Sequence, residues 1–198
     1  MVRSFVKKGF TIVEVLIVIT VIGVLASIVL LTFPGYQKQG NDTQRKSDLS
    51  QIAAALSAYA QQKNTTVGLG SGCGLNGNGN GWLNAATSDI STYPRAITAC
   101  LQDAKVLGTG TFIDPSGCTW ASGTTKCGSS GGVAQAYMKA TCTKSGAAVT
   151  YLFAHLENAA RQDATIDALC DSGSVSDFTS TSQKWGTNYA MNYYVMVR

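Results

Sequence analysis

Residues 7–19 read Lys7-Lys8-Gly9-Phe10-Thr11-Ile12-Val13-Glu14-Val15-Leu16-Ile17-Val18-Ile19, and their reading decides that of the whole chain. Two lysines stand directly before an apolar run that continues to residue 33, broken only by Thr11, Glu14, Thr20, Gly23, Ser27 and Thr32. As helix, residues 10–33 extend about 36 Å, enough to cross the roughly 30 Å of bilayer hydrocarbon. Lys7 and Lys8, with Arg3 close by, predict a cytoplasmic N-terminus and a C-terminal part outside. Glu14 is out of place in such a run, because a carboxylate costs about 2.5–3.5 kcal/mol at the centre of a bilayer and less near its interface. An anchor that only had to hold would not keep it. The run is followed by Leu30-Leu31-Thr32-Phe33-Pro34-Gly35, which lacks the small-x-small site of a conventional secretory signal.

Outward from this segment, the 198 residues allow one ordinary domain beyond the anchor. Charged residues make up 13% of the chain and there are 21 glycines, a composition closer to an extracellular module than to a nucleic-acid binder. The formal charge is +4. Loss of residues 1–9 would take away three basic groups and leave 12 against 11 acidic ones, or +1, so no basic patch points to nucleic acid. All six cysteines, Cys73, Cys100, Cys118, Cys127, Cys142 and Cys170, follow the apolar run. Their even number and placement predict disulfides outside the cytoplasm. A zinc site is disfavoured, since there is no C-x-x-C pair and His155 is the only histidine.

The basic leader ending in Gly9, followed by Phe10 and by Glu14 at the fifth position after the Gly, closely resembles the class III signal of type IV prepilins and pseudopilins. The resemblance implies that prepilin peptidase cuts between Gly9 and Phe10 on the cytoplasmic side and that the new amino group of Phe10 is N-methylated. It implies that the apolar helix stays in the mature protein and that Glu14 pairs with the Phe10 amine of a neighbouring subunit. Physically, each of those charges needs a partner once desolvated. The small residues around Gly23, with Val24-Leu25-Ala26, are similar to the close-packing region of such anchors. Pro34-Gly35 predicts a helix break near residues 30–36.

Past that point Leu49, Ile52, Ala53, Leu56, Tyr59 and Ala60 fall on one helical face. Gln44, Arg45, Lys46, Asp48, Gln51 and Gln62 fall on the other side, so one stripe is expected to lie against a sheet, with Gly40 as a bend. Residues 68–81, GLGSGCGLNGNGNG, read as a loop, and no strand before them or GK[ST] after them supports phosphate binding. A short helical piece is expected between Tyr93 and Asp114. Residues 134–141 and 149–157, separated by Lys144-Ser145-Gly146, read as a hairpin, and residues 188–197 as a last strand. Residues 151–157 are loosely similar to a strand of pilins.

The expected architecture is therefore α+β and pilin-like, a long N-terminal helix on a small antiparallel sheet. Its parts are a leader at 1–9, a transmembrane and filament-core helix at 10–33, an amphipathic helix at 34–66 and a disulfide-stabilised globular domain at 67–198. Six cysteines allow 15 pairings. Local closure favours Cys73 with Cys100, Cys118 with Cys127 and Cys142 with Cys170, the last enclosing a C-terminal loop like that which many pilins staple. Glu157, Asp163, Asp167, Asp171 and Asp177 cluster late and read as a solvated acidic face, with a calcium site, as in some pseudopilins, the alternative. No other cofactor is expected. Nothing resembles a nucleophile elbow or a carboxylate pair, so no enzyme is expected.

The resemblance implies a structural subunit of a type IV pilus or related filament. Its partners would be other pilin subunits, the peptidase and methyltransferase, the inner-membrane assembly machinery and, before assembly, membrane lipid. The alternatives are a pseudopilin of a type II-like secretion or DNA-uptake system and a signal-anchored extracellular binding protein.

Overall fold

The computed structural model describes residues 9–64, 72–88, 91–117, 136–171 and 184–197. One long helix, α1, runs from Ile12 to Lys63. By its internal contacts the chain divides into two compact units, 1–38 and 39–198. The outer part of α1 belongs to the globular unit, starting at Gln39.

The expected break at residues 30–36 is absent. Pro34 lies inside α1, and Gly35 and Gly40 remain helical. Proline removes one backbone hydrogen bond and crowds the carbonyl four residues earlier, but helical bonding on both sides carries the element across.

The sheet of the second unit has four antiparallel strands in the order β1 (Gly81–Trp82), β2 (Met138–Lys144), β3 (Ala147–Ala154), β4 (Tyr193–Val197). β2 and β3 form the expected hairpin around Ser145-Gly146, with Met138 opposite Phe153 and Lys144 opposite Ala147. Ser145 and Gly146 both have positive φ, at 51° and 82°, the conformation that a two-residue turn between twisted strands requires. The last strand is shorter than expected, because Trp185–Tyr189 form a helix before it.

Side chains alternate across β3 with the period of two that a strand imposes. Leu152 and Ala154 join Leu49, Ile52, Ala53 and Leu56 of α1 in one buried cluster. Tyr151 and Phe153 join Trp82, Met138, Ala140, Cys142, Ile166 and Trp185 in another. The sheet is thus covered on both faces, by α1 on one and by α3 (Asp163–Asp167) and α4 (Trp185–Tyr189) on the other. The expected short helical piece is α2 (Ile97–Asp103), whose Ile97 and Leu101 enter the α1 side.

Cys73 is bonded to Cys100 and Cys142 to Cys170, the same two pairs that local closure favours. The first ties the loop before β1 to α2; the second ties β2 to the segment after α3. Cys118 and Cys127 lie outside the described residues, as do Asp177 and residues 68–71 of the glycine-rich stretch. Residues 72–80 are loop, with a 3-10 turn at Leu75–Gly77.

Candidate functional site

The sequence-predicted site residues Gly9, Phe10 and Glu14 stand at the start of α1. Gly9 and Glu14 are exposed and Phe10 is 88% exposed. Apolar side chains on all sides of residues 12–30 are likewise exposed, more than half in most cases. A helix that is apolar all round and exposed on every side suits lipid or other helices. It is the one described helix long and apolar enough to cross a membrane.

Glu14 is held by a residue that the sequence reading passed over. The Thr11 N–H donates to the Glu14 carboxylate at 2.8 Å and the Thr11 hydroxyl does so at 2.7 Å, while the Glu14 N–H donates back to Thr11 Oγ1 at 3.2 Å. This is a capping box, which satisfies otherwise orphaned N–H groups at a helix start. Its signal is legible as Thr-x-x-Glu directly before an apolar run. In the single chain the carboxylate has local donors, and its negative charge complements the positive end of the helix dipole.

A second polar constellation lies in the globular unit, on residues expected to face solvent. Arg45 is fully buried. Its Nε and Nη2 donate to the two carboxylate oxygens of Asp114 at 2.7 and 2.9 Å, and its Nη1 donates to Asp42 at 2.9 Å and to Glu157 at 3.0 Å. Asp42 also accepts the backbone N–H groups of Glu157 and Asn158 at 2.8 and 2.9 Å. Burial pushes the Asp42 and Asp114 carboxyls up, but these donors, with Ser116 on Asp114, hold both below the usual carboxylate range. Asp48, also buried, accepts from the Tyr137 hydroxyl at 2.8 Å; burial raises its carboxyl, with the nearby Asp114 charge adding to the shift.

The described late acids are each half-exposed and each has a partner. Glu157 is on Arg45, Asp163 pairs with Arg161, Asp167 accepts the Gly186 N–H and the Thr187 hydroxyl, and Asp171 accepts the Ser145 N–H. Each pins one loop or helix end. Among the described residues no three His, Cys, Asp or Glu are grouped as metal ligands.

Lys139 is the other departure. It is fully buried, its ammonium group bonded to Gly79 O, Asn80 Oδ1 and Thr141 Oγ1 at 2.8, 3.0 and 3.2 Å. Burial pushes its amine down to about 7. It fixes the loop before β1 to the sheet, and no pattern in the sequence marks it as different from a surface lysine.

Residues 5–30 match the family model of the prokaryotic N-terminal methylation motif, the prepilin-type signature of type IV pilin-like proteins and pseudopilins. The match covers Gly9, Phe10, Thr11 and Glu14. No curated protein and no solved structure matches the chain.

Proposed function

We propose that the chain is a structural subunit of a type IV pilus or related filament, cut between Gly9 and Phe10 by prepilin peptidase, N-methylated on Phe10 and assembled through its N-terminal helix. The carrying observation is the methylation-motif match over residues 5–30, and it is supported by Glu14 standing in the first turn of an exposed apolar helix. Cutting before Phe10 creates a cationic amine one turn from the Glu14 carboxylate. In the filament that carboxylate exchanges its bonds to Thr11 for the amine of a neighbouring subunit, which offsets desolvation of both charges and sets axial register. Before assembly the subunit is a single-pass membrane protein with its N-terminus cytoplasmic and its globular unit outside, where disulfides persist. Its role is assembly and not catalysis.

Mass spectrometry of the native N-terminus tests the reading, in cells with and without prepilin peptidase. Methylated Phe10 is expected as the first residue only when the enzyme is present. An uncut N-terminus in both strains overturns the proposal.

A further inference from the structure

Granting that α1 spans the membrane before assembly, we propose that the bilayer hydrocarbon is bracketed by Glu14 on the inner side and Tyr36 on the outer side. In this register Phe33 and Tyr36 form an interfacial anchor in the outer leaflet and Leu25 lies at the midplane. The apolar run by itself suggests a different register. Centred on residues 10–33, the membrane would have its midplane between Val21 and Ile22. Glu14 would then lie about 4 Å inside the roughly 30 Å of hydrocarbon, where a carboxylate is more costly than at the interface.

The polar groups along α1 favour the outward shift. The Thr11–Glu14 capping box is the polar inner end. Beyond it the hydroxyls of Thr20, Ser27 and Thr32 all donate to carbonyls of their own helix, at 2.8, 2.7 and 3.3 Å. They need no water and tolerate lipid. Phe33 and Tyr36 are 55% and 70% exposed and three residues apart, so they project from one face. Tyrosine suits the headgroup boundary because its ring is apolar and its hydroxyl is polar. Exposed Gln37, Lys38 and Gln39 follow immediately.

Length agrees with this bracket. Glu14 and Tyr36 are 22 residues apart, about 33 Å along a helix. An ordinary tilt of about 20° reduces that to close to the 30 Å of hydrocarbon. The consequence for the proposed function is that Glu14 waits at the inner interface, within reach of water and of the newly cut amine, and need not be lifted from mid-membrane when assembly begins.

The test uses the full chain in vesicles of phosphatidylcholine and phosphatidylglycerol, with a nitroxide amino acid placed in turn at Val21, Leu25 and Val29. Collision with oxygen and with a water-soluble nickel chelate reports depth. The expected result is Leu25 deepest, with Val21 and Val29 equally deep on either side of it. Val21 at the midplane with Val29 about 10 Å shallower overturns the register. Water-exposed labels at all three positions overturn the membrane-spanning reading itself. Replacing Phe33 and Tyr36 together by serine is expected to move the deepest position from Leu25 toward Gly23; an unmoved profile overturns the anchor role.

Discussion

Glu14, exposed in the first turn of an apolar helix, and Arg45, buried in the globular unit, are charges that are each explained by their partners. Glu14 has Thr11 in the isolated chain and, on the proposed function, a neighbour's amine in the filament. Glu14→Ala removes the second role without removing an apolar residue from the helix, so the variant is expected to insert in the membrane normally and yield few or no filaments. Membrane fractionation and electron microscopy check this, and normal filaments would count heavily against the assembly role. Arg45 is surrounded by Asp42, Asp114 and Glu157. Arg45→Met leaves two buried carboxylates without their cation, at an expected cost of about 3–5 kcal/mol in denaturant unfolding. Asp42 and Asp114 titrate lower folded than unfolded, so the folded state binds fewer protons. Their contribution is therefore complete above the unfolded Asp value of about 3.9 and is lost as pH falls through it toward the folded values. Melting temperature should drop steeply below about pH 4 in the wild type and less steeply in Arg45→Met. Lys139 acts in the opposite window. Its amine is depressed to about 7 when folded, against about 10.4 unfolded. The unfolded chain binds the extra proton between those values, and stability should rise with pH across that range. Unfolding free energies at pH 7 and pH 9 check this, and the slope should vanish in Lys139→Met.

Among the elements, those written in periodic patterns were legible and those made by long-range pairing were not. The apolar run, the stripe from Leu49 to Ala60 and the turn at Ser145-Gly146 each carry their signal within a few residues, and all three are present in the fold. Pro34 is a misleading signal because one lost backbone hydrogen bond is a local penalty, and the helical bonding on both sides of it continues. Arg45 and Asp48 misled because polar residues opposite an apolar stripe ordinarily face water. Their burial depends on Asp114 and Tyr137, which are 69 and 89 residues away in the chain. Helix α4 was hidden for a related reason: its N-terminus is held by Asp167, 19 residues earlier. At Gly186 in that helix the Asp163 backbone approaches too closely to leave room for a side chain. The Cys142–Cys170 bond closes this same region onto β2. Replacing both cysteines by alanine is expected to cost about 2–4 kcal/mol and to loosen α3 before the sheet. Hydrogen exchange should show amides of residues 163–171 losing protection first, with those of β3 still protected. Simultaneous loss in both places would show that the bond supports the whole unit and not one corner.

At the scale of the whole molecule, the two units divide the work that α1 joins in sequence. The described core begins at Leu49 and draws on α1, α2, the sheet and the short helices. The first buried polar contacts begin at Asp42. The described packing of the globular unit therefore lies within residues 39–198, which form a compact unit of their own. Removing residues 1–38 creates a new helix start, which exposes unsatisfied N–H groups. Asn41 and Asp42 would then lie in its first turn, where a negative charge complements the helix dipole. The truncated chain is accordingly expected to be soluble without detergent, monomeric in size-exclusion chromatography and close to the full chain in melting temperature. Addition of a calcium chelator should leave that temperature unchanged, because the described late acids are each engaged in holding a loop or helix end. A calcium-dependent rise would instead favour a secretion pseudopilin. The Tyr137 hydroxyl bond to Asp48 and the Arg45 cluster should survive the truncation, so the acid-sensitive step in stability belongs to residues 39–198 alone. If that step disappears with the first 38 residues, the globular unit depends on the anchor for its fold, and the division of labour along α1 is wrong.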